Sequence, residues 1–262
     1  MLDERVTGRL RGLLLCPPAC EIAPMHQREN VMAERVFTLA ELDALRQWDT
    51  PTICNALEIV VPERRAIGFT VEPMIAIDPK LAPIVGLART GTIRAKEPPS
   101  GKVANRLDWY DYVANADIPT IVVLQDIDDR PGYGAFWGEV QSTVHKALGA
   151  RGCVTNGSFR DLTAWASNFQ MIGGRVGPSH AHVHMVDFGQ PVSVFGMQAA
   201  HDDVIHADYH GAVVIPGDAV RKLPAAIELV ARREKVILDI CKSADFSVAK
   251  LRDAIRRAGE IH

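Results

Sequence analysis

Residues 121–162 read IVVLQDIDDRPGYGAFWGEVQSTVHKALGARGCVTNGSFRDL, and this stretch decides the fold class. It opens with a short apolar run, Ile121–Leu124, which predicts a buried strand. A polar, glycine-rich loop follows. The next segment, Glu139–Gly149, predicts a helix because Val140, Val144 and Leu148 share one face and a glycine ends it.

The second half of the stretch repeats this order. Gly152–Thr155 predicts another short strand, and Asn156–Phe159 predicts a turn. Leu162–Phe169 is then expected to form a second helix that ends before Gly173 and Gly174. A strand, loop, helix, strand, loop, helix order is typical of a parallel α/β layer, so the fold class is predicted to be α/β.

The flanking sequence adds helices at both ends and further strands. A capping box, Thr38 with Glu41, predicts the start of the first helix, and Asp49-Thr50-Pro51 predicts the start of the second. Ile84–Ile93 predicts a strand, and Asp108–Ala116 a helix. The remaining predicted elements are short β segments at 183–189, 192–197, 204–207 and 212–215, and helices at Leu223–Cys241 and Val248–Ala258.

Composition indicates an ordinary globular protein. The 262 residues are 47% hydrophobic and 23% charged, with a net charge of −3. Without a basic patch or a long apolar run, neither nucleic acid nor a membrane is an expected partner. The five cysteines are scattered and form no CxxC pair, which favours free thiols and a cytoplasmic location.

The N-terminal segment, residues 1–36, is predicted to be disordered or extended, and residues 37–262 to form one domain. Leu13–Cys16 after Arg9 and Arg11 resembles a signal peptide, but the apolar run is too short and prolines interrupt it. Translation starting at Met25 or Met32 is an alternative explanation of the extension.

Two loops of the α/β unit carry the candidate chemistry. Ligands gather at the carboxyl ends of parallel strands, and helix amino ends attract anions. The first loop supplies Gly138 and Glu139, and the second supplies Arg160 and Asp161. Arg160 can bind a carboxylate or an enolate, and the two acids can hold a hard divalent cation. A simpler interpretation is that both acids only stabilise the first turns of helices.

Residues 134–162 resemble the RraA-like family, which includes the 4-hydroxy-4-methyl-2-oxoglutarate and 4-carboxy-4-hydroxy-2-oxoadipate aldolases. The signature is an acid, twenty residues and then Arg-Asp, which Glu139, Arg160 and Asp161 reproduce. In characterised aldolases of the family the first acid is often Asp. A weaker resemblance covers residues 38–240, including DVIHADYHGAVVIP at 203–216.

The resemblance implies a swivelling, layered α/β domain assembled as a homotrimer or homohexamer, with sites between subunits. It implies that Asp161 ligates Mg2+ or Mn2+, that Glu139 orients a metal-bound water, and that Arg160 contacts the 2-oxo oxygen of pyruvate. Backbone amides of Gly138, Val140 and Gln141 would hold the substrate carboxylate. A glutamate from a neighbouring subunit's C-terminal helix contributes in the aldolases, and Glu234 matches it here.

The implied activity is a lyase reaction of the class II pyruvate aldolase type, in which retro-aldol cleavage of a small 4-hydroxy-2-oxoacid gives pyruvate. Oxaloacetate decarboxylation is an expected side activity because it gives the same enolate. Two alternatives stay open: a protein-binding regulator of ribonuclease E without catalysis, and an enzyme of this scaffold with another substrate. The Arg160-Asp161 pair favours an enzyme, since such regulators lack it.

Four further patterns have competing interpretations. Gly132-Tyr133-Gly134 with Gly138 resembles a dinucleotide-binding pattern, but no acid follows the next strand, and a tight loop explains the glycines. Alternating histidines, together with others downstream, are candidate zinc ligands, interface or surface residues, or supports of the site: His180, His182, His184, His201, His206 and His210. Three acids are candidate ligands or members of a solvated loop: Asp126, Asp128 and Asp129. Two aromatic residues beside Glu139 are candidate pocket walls: Phe136 and Trp137.

Overall fold

A nine-stranded mixed sheet forms the centre of the molecule in the computed structural model, which describes residues 35–101 and 103–262. Residues 1–34, which belong to the segment predicted to be disordered or extended, lie outside the described ranges. The strands are β1 Ile75–Ala76, β2 Ile84–Arg94, β3 Thr120–Asp126, β4 Ala135–Trp137, β5 Ala150–Phe159, β6 Gln170–Val176, β7 His184–Phe188, β8 Val192–Val194, β9 Met197–Ala199, β10 Val204–Asp208 and β11 Gly211–Ile215. The α-helices are α1 Leu39–Ala44, α2 Thr50–Val60, α3 Arg106–Ala114, α4 Glu139–Ala147, α5 Leu223–Cys241 and α6 Val248–Gly259.

The sheet is parallel in its middle and antiparallel towards its edges. Its order is β1-β6-β5-β3-β2-β10-β11, with β4 paired to β5 and β7 paired to β2, and β2, β3, β5 and β6 run parallel. The strands β8 and β9 form a separate hairpin. On β3, Ile121 and Val123 pack towards the β8–β9 hairpin, while Val122 and Leu124 pack towards the aromatic core that includes Trp109 of α3. Successive side chains point to opposite faces of a strand, so β3 is buried on both sides. The predicted layered α/β class is confirmed.

Helices from both ends of the described chain share one apolar cluster. α1 begins with the predicted capping box: the Glu41 amide donates to Thr38 Oγ1 at 3.2 Å, and the Thr38 amide donates to Glu41 Oε2 at 2.7 Å. Leu42 of α1, Ile53 of α2 and Leu223 of α5 are fully buried in this cluster. None of the helices in the described ranges has the length and hydropathy that a bilayer crossing needs.

The predicted helix at Leu162–Phe169 is wrong, because this segment is a series of turns. Asp161, directly before the segment, and Asn168, one residue before its end, have φ values of 57° and 56°, which lie outside the right-handed helical region. The Trp165 indole closes a local turn by donating to the Phe169 carbonyl at 2.8 Å. Asp161 therefore does not stand in the first turn of a helix of its own.

The predicted turn at Asn156–Phe159 is also wrong, because β5 continues through it. The register of β5 against β6 shifts between Thr155 and Ser158, as at a β-bulge, which keeps the strand paired despite its Asn-Gly step. β4 pairs with the same end of β5. This extension places Arg160 directly beyond β5, next to the end of β4 and the start of α4.

Candidate functional site

A cavity of about 540 Å³ opens beside the amino end of α4. Apolar side chains such as Val103, Phe136 and Met185 form part of its wall. Its polar lining comes from six residues: Arg106, Gln141, Arg160, Asp161, His180 and His184. The cavity thus joins an apolar wall to a cluster of hydrogen-bonding and charged groups, which is the usual composition of a small-molecule site.

The carboxylate of Asp161 caps α4 from outside the helix. The Glu139 amide donates to Asp161 Oδ2 at 3.1 Å, while the N-cap residue itself, Gly138, has no side chain to serve as a cap. A methyl group added at Gly138 would lie 2.4 Å from the same oxygen. Glycine at 138 therefore lets Asp161 approach the positive end of the helix dipole.

The Arg160 guanidinium bridges Asp161 and His180. Its Nε lies 3.5 Å from Asp161 Oδ2, and its Nη2 lies 2.8 Å from His180 Nε2. The Arg160 amide donates to the Trp137 carbonyl at 3.0 Å, which fixes the backbone at the end of β4. The side chains of Arg160 and Asp161 are 30% and 37% exposed, so both can meet a ligand.

The predicted backbone site falls on the same cavity. Gly138, Val140 and Gln141 all line it. The Glu139 amide donates to Asp161 and is therefore not available to a ligand. The next two amides, of Val140 and Gln141, also lie in the first turn of α4, where amides have no acceptor within the helix. The side chain of Glu139 is exposed and is not among those lining the cavity.

Glu234 lies elsewhere on this chain. It is exposed on α5, whose main contacts are with α2 and α6, and it does not line the cavity. Its predicted contribution from a neighbouring subunit stays a prediction.

A buried histidine behind the cavity supports its wall, and sequence reasoning did not identify it. His145 Nε2 accepts a hydrogen bond from the Trp109 indole at 2.9 Å, and its Nδ1 donates to the Gln141 carbonyl at 2.8 Å. Burial lowers the pKa of His145 to about 4, so the ring is neutral at pH 7. The only sequence signal is a histidine on the inner face of α4.

The acids of the glycine-rich loop have a structural role. Asp126 is buried and accepts hydrogen bonds from the Gly132 and Asp128 amides at 2.7 and 3.0 Å. Burial raises its pKa. Asp128 accepts from the Ala95 amide at 2.8 Å, and Asp129 is exposed and pairs with Lys96. Both buried carboxylates hold the loop that ends in β4.

The zinc interpretation gains no support, because no three His, Cys, Asp or Glu side chains converge as a metal site within residues 35–101 and 103–262. Gly134 has a steric explanation instead of a nucleotide-binding one, since an added methyl group would lie 2.2 Å from the His180 carbonyl oxygen.

Comparison with models of protein families identifies the family of this chain. The family model RraA-like, described as Aldolase/RraA, matches residues 50–214, within the 38–240 of the sequence resemblance. The chain belongs to the RraA-like family. This family's description covers both aldolases and RraA proteins, so membership alone does not decide between catalysis and regulation.

Solved structures of RraA-like shape agree with this assignment. An uncharacterized protein from Pseudomonas syringae pv. tomato has a TM-score of 0.64 at 18% identity, covering 84% of this chain and 95% of its own. RraAS2 of Streptomyces coelicolor, described as an unusual member of the RNase ES inhibitor RraA family, has a TM-score of 0.58 at 18% identity, covering 75% of this chain and 93% of its own. No curated protein sequence matches this RraA-like chain. At these identities the similarity shows the fold alone.

Proposed function

We propose that this RraA-like protein is a divalent-metal-dependent carbon–carbon lyase that cleaves a 4-hydroxy-2-oxoacid to pyruvate. The observation that carries the proposal is the convergence of Arg160, Asp161 and the amino end of α4 on one cavity. An oxoacid presents a carboxylate and an adjacent carbonyl oxygen. A guanidinium and free helix amides are groups that bind such oxygens.

The donor set fits Mg2+ or Mn2+ with one protein carboxylate, Asp161. Magnesium commonly keeps several waters and uses one or two carboxylates together with substrate oxygens. A cation held there would supply Lewis-acid stabilisation of the enolate charge. Glu139 stays a proposed water-orienting residue, although its side chain does not line the cavity of the single chain.

The residues of this chain would divide the work as follows. The Val140 and Gln141 amides would bind the substrate carboxylate, because Asp161 already occupies the Glu139 amide. Arg160 would donate to the 2-oxo oxygen, where negative charge develops as the carbon–carbon bond breaks. The nearby lysine, Lys146, lies in the last turn of α4 and donates to the Ser167 carbonyl, so a Schiff base is not part of the proposal.

We also propose that the protein forms a homotrimer or homohexamer with sites at subunit interfaces. Val140, which lines the cavity, is 70% exposed, and two apolar neighbours in sequence of lining residues, Leu107 and Leu162, are 67% and 49% exposed. Burying such side chains against another copy is favourable, and it would shield the open cavity from water. In such an assembly, Glu234 of one subunit is expected to contribute to the cavity of its neighbour.

Pyruvate release tests the function directly. Metal-free protein is assayed with a panel of 4-hydroxy-2-oxoacids and with oxaloacetate, first with EDTA and then with Mg2+ or Mn2+. We expect turnover only with the metal. Turnover that is equal in EDTA would reject the metal dependence. No cleavage of any panel member would reject the aldolase function and favour the regulator or an enzyme with another substrate.

An Arg160→Ala variant tests the site itself. The loss of a preorganised donor to developing charge is expected to lower kcat by about 10²–10³. Arg252→Ala is the matched control, because Arg252 is exposed on α6 and does not line the cavity. Equal activity of the two variants would remove Arg160 from the site.

A further inference from the structure

His180 lies in the cavity on a backbone that is held from both sides. The Ala135 amide of β4 donates to the Ser179 carbonyl at 2.8 Å, and the Val183 amide donates to the His180 carbonyl at 3.0 Å. Gly134 makes this approach possible, since any side chain there would collide with the His180 carbonyl. The main chain that carries His180 is therefore fixed, and His180 lines the cavity.

The contact with Arg160 determines which nitrogen of His180 carries the proton. A guanidinium has only donors, so His180 Nε2, 2.8 Å from Arg160 Nη2, must be the acceptor. The ring in this state is neutral, and its Nε2 lone pair faces Arg160. The cavity thus holds a hydrogen-bond donor and a hydrogen-bond acceptor side by side.

This pair complements a 4-hydroxy-2-oxoacid. The 2-oxo oxygen is an acceptor and the 4-hydroxyl is a donor, and only one carbon separates the two carbons that bear them. We infer that His180 is the general base that removes the 4-hydroxyl proton, an inference that rests on the proposed function. The bound substrate replaces the Arg160–His180 hydrogen bond: its oxo group takes the Arg160 N–H, and its hydroxyl donates to Nε2.

The step is balanced without an oxidant or a reductant. The 4-hydroxyl O–H bond breaks and its proton moves to His180 Nε2. Its electron pair forms the carbonyl of the departing fragment. The C3–C4 bond breaks, and its pair becomes the C2–C3 enolate. C3 then takes the proton back from the imidazolium, which gives pyruvate and restores neutral His180.

Other bases on the cavity wall are placed less well for this step. The Asp161 carboxylate already accepts the Glu139 amide and pairs with Arg160. His184 donates from Nδ1 to the His182 carbonyl at 2.7 Å and has no hydrogen bond with Arg160. In the proposed pose the 2-oxo oxygen meets Arg160, and His180 is the base on the cavity wall that contacts Arg160 by a hydrogen bond.

A His180→Gln variant separates proton removal from support of Arg160. The glutamine carbonyl can still accept the Arg160 hydrogen bond, but it cannot take up a proton. Decarboxylation of oxaloacetate gives the same enolate without breaking an O–H bond, so it needs Arg160 but no such base. His182→Gln is the control, because His182 is an exposed histidine of the same segment whose side chain does not line the cavity.

We expect His180→Gln to lower retro-aldol turnover by about 10²-fold or more, while its oxaloacetate decarboxylation stays near the wild-type rate. His182→Gln should match wild type in both reactions. An equal fall of both reactions in His180→Gln would overturn the inference and make His180 a positioning residue. Unchanged cleavage would also overturn it. If the wild-type protein cleaves no 4-hydroxy-2-oxoacid, the proposed function fails first, and the inference falls with it.

Discussion

A Gly138→Ala substitution should disable the site with little damage to the fold. The added methyl group would lie 2.4 Å from Asp161 Oδ2 and 3.3 Å from Arg160 Cγ. To reach an ordinary carbon–oxygen separation, the Asp161 carboxylate must move by about 1 Å. It then loses its hydrogen bond with the Glu139 amide, and the proposed metal ligand leaves its position. The backbone at 138 is extended, so alanine causes no conformational strain there.

The two consequences differ in size. Loss of a helix cap costs about 1–2 kcal/mol, which for a domain of this size lowers Tm by roughly 2–8 °C. A 1 Å displacement of a reacting group lowers turnover by about 10²-fold. We therefore expect Gly138→Ala to stay folded by circular dichroism, with weaker Mn2+ binding by calorimetry and about 10²-fold lower kcat/KM for pyruvate release.

Gly259→Ala is the matched control, because an added methyl group there has no heavy atom within 4 Å in the described structure. It should leave turnover and Mn2+ binding unchanged. Wild-type turnover and Mn2+ affinity in Gly138→Ala would show that the close approach of Asp161 to α4 has no part in the function.

Three other predictions address the metal, pH and assembly. Asp161→Asn keeps an acceptor for the Glu139 amide but loses the negative charge, so Tm should change little while Mn2+ affinity falls at least tenfold. Equal Mn2+ affinity of the variant and the wild type by calorimetry would exclude Asp161 as a ligand. Burial holds the pKa of His145 at about 4, below its ordinary 6.5. The unfolded chain therefore binds this proton first as pH falls, and the free energy of unfolding should drop by roughly 3 kcal/mol between pH 6.5 and 4. Urea unfolding of His145→Gln should show a correspondingly flatter pH dependence, and an identical slope would contradict the assignment. Leu107→Glu should shift a trimer or hexamer towards smaller species by light scattering, and an unchanged mass would place the interface elsewhere.

Much of the fold could be predicted from local patterns. The Thr38–Glu41 capping box and the Asp49-Thr50-Pro51 helix start are confirmed, because each depends on residues within one helical turn. The helix Leu223–Cys241 is confirmed at both ends. Short apolar runs such as Ile121–Leu124 also predicted their strands, since burial on both faces gives a continuous apolar pattern.

The errors lie where distant segments override local preference. Asn156-Gly157 is a turn signal, yet the residues on both sides of it pair with β6, and Ser158 also pairs with β4, so the strand β5 continues through it. Leu162–Phe169 has helical spacing, but the residue directly before it and one near its end adopt left-handed conformations, and its middle is tied to α4 through the Ala166 amide and the Ser142 hydroxyl at 3.2 Å. Neither effect is visible in a window of ten residues.

For the candidate site, sequence alone determined which residues to consider: an acid, Arg160, Asp161 and a helix that begins after Gly138. Only the tertiary structure decided that Asp161 caps that helix, that Glu139 is exposed and does not line the cavity, and that His180 contacts Arg160. The physical reason is the separation along the sequence between the residues that interact. Helix caps and periodicity act within a few residues, whereas contacts across about twenty residues depend on strand register and on the space that glycines such as Gly134 leave open.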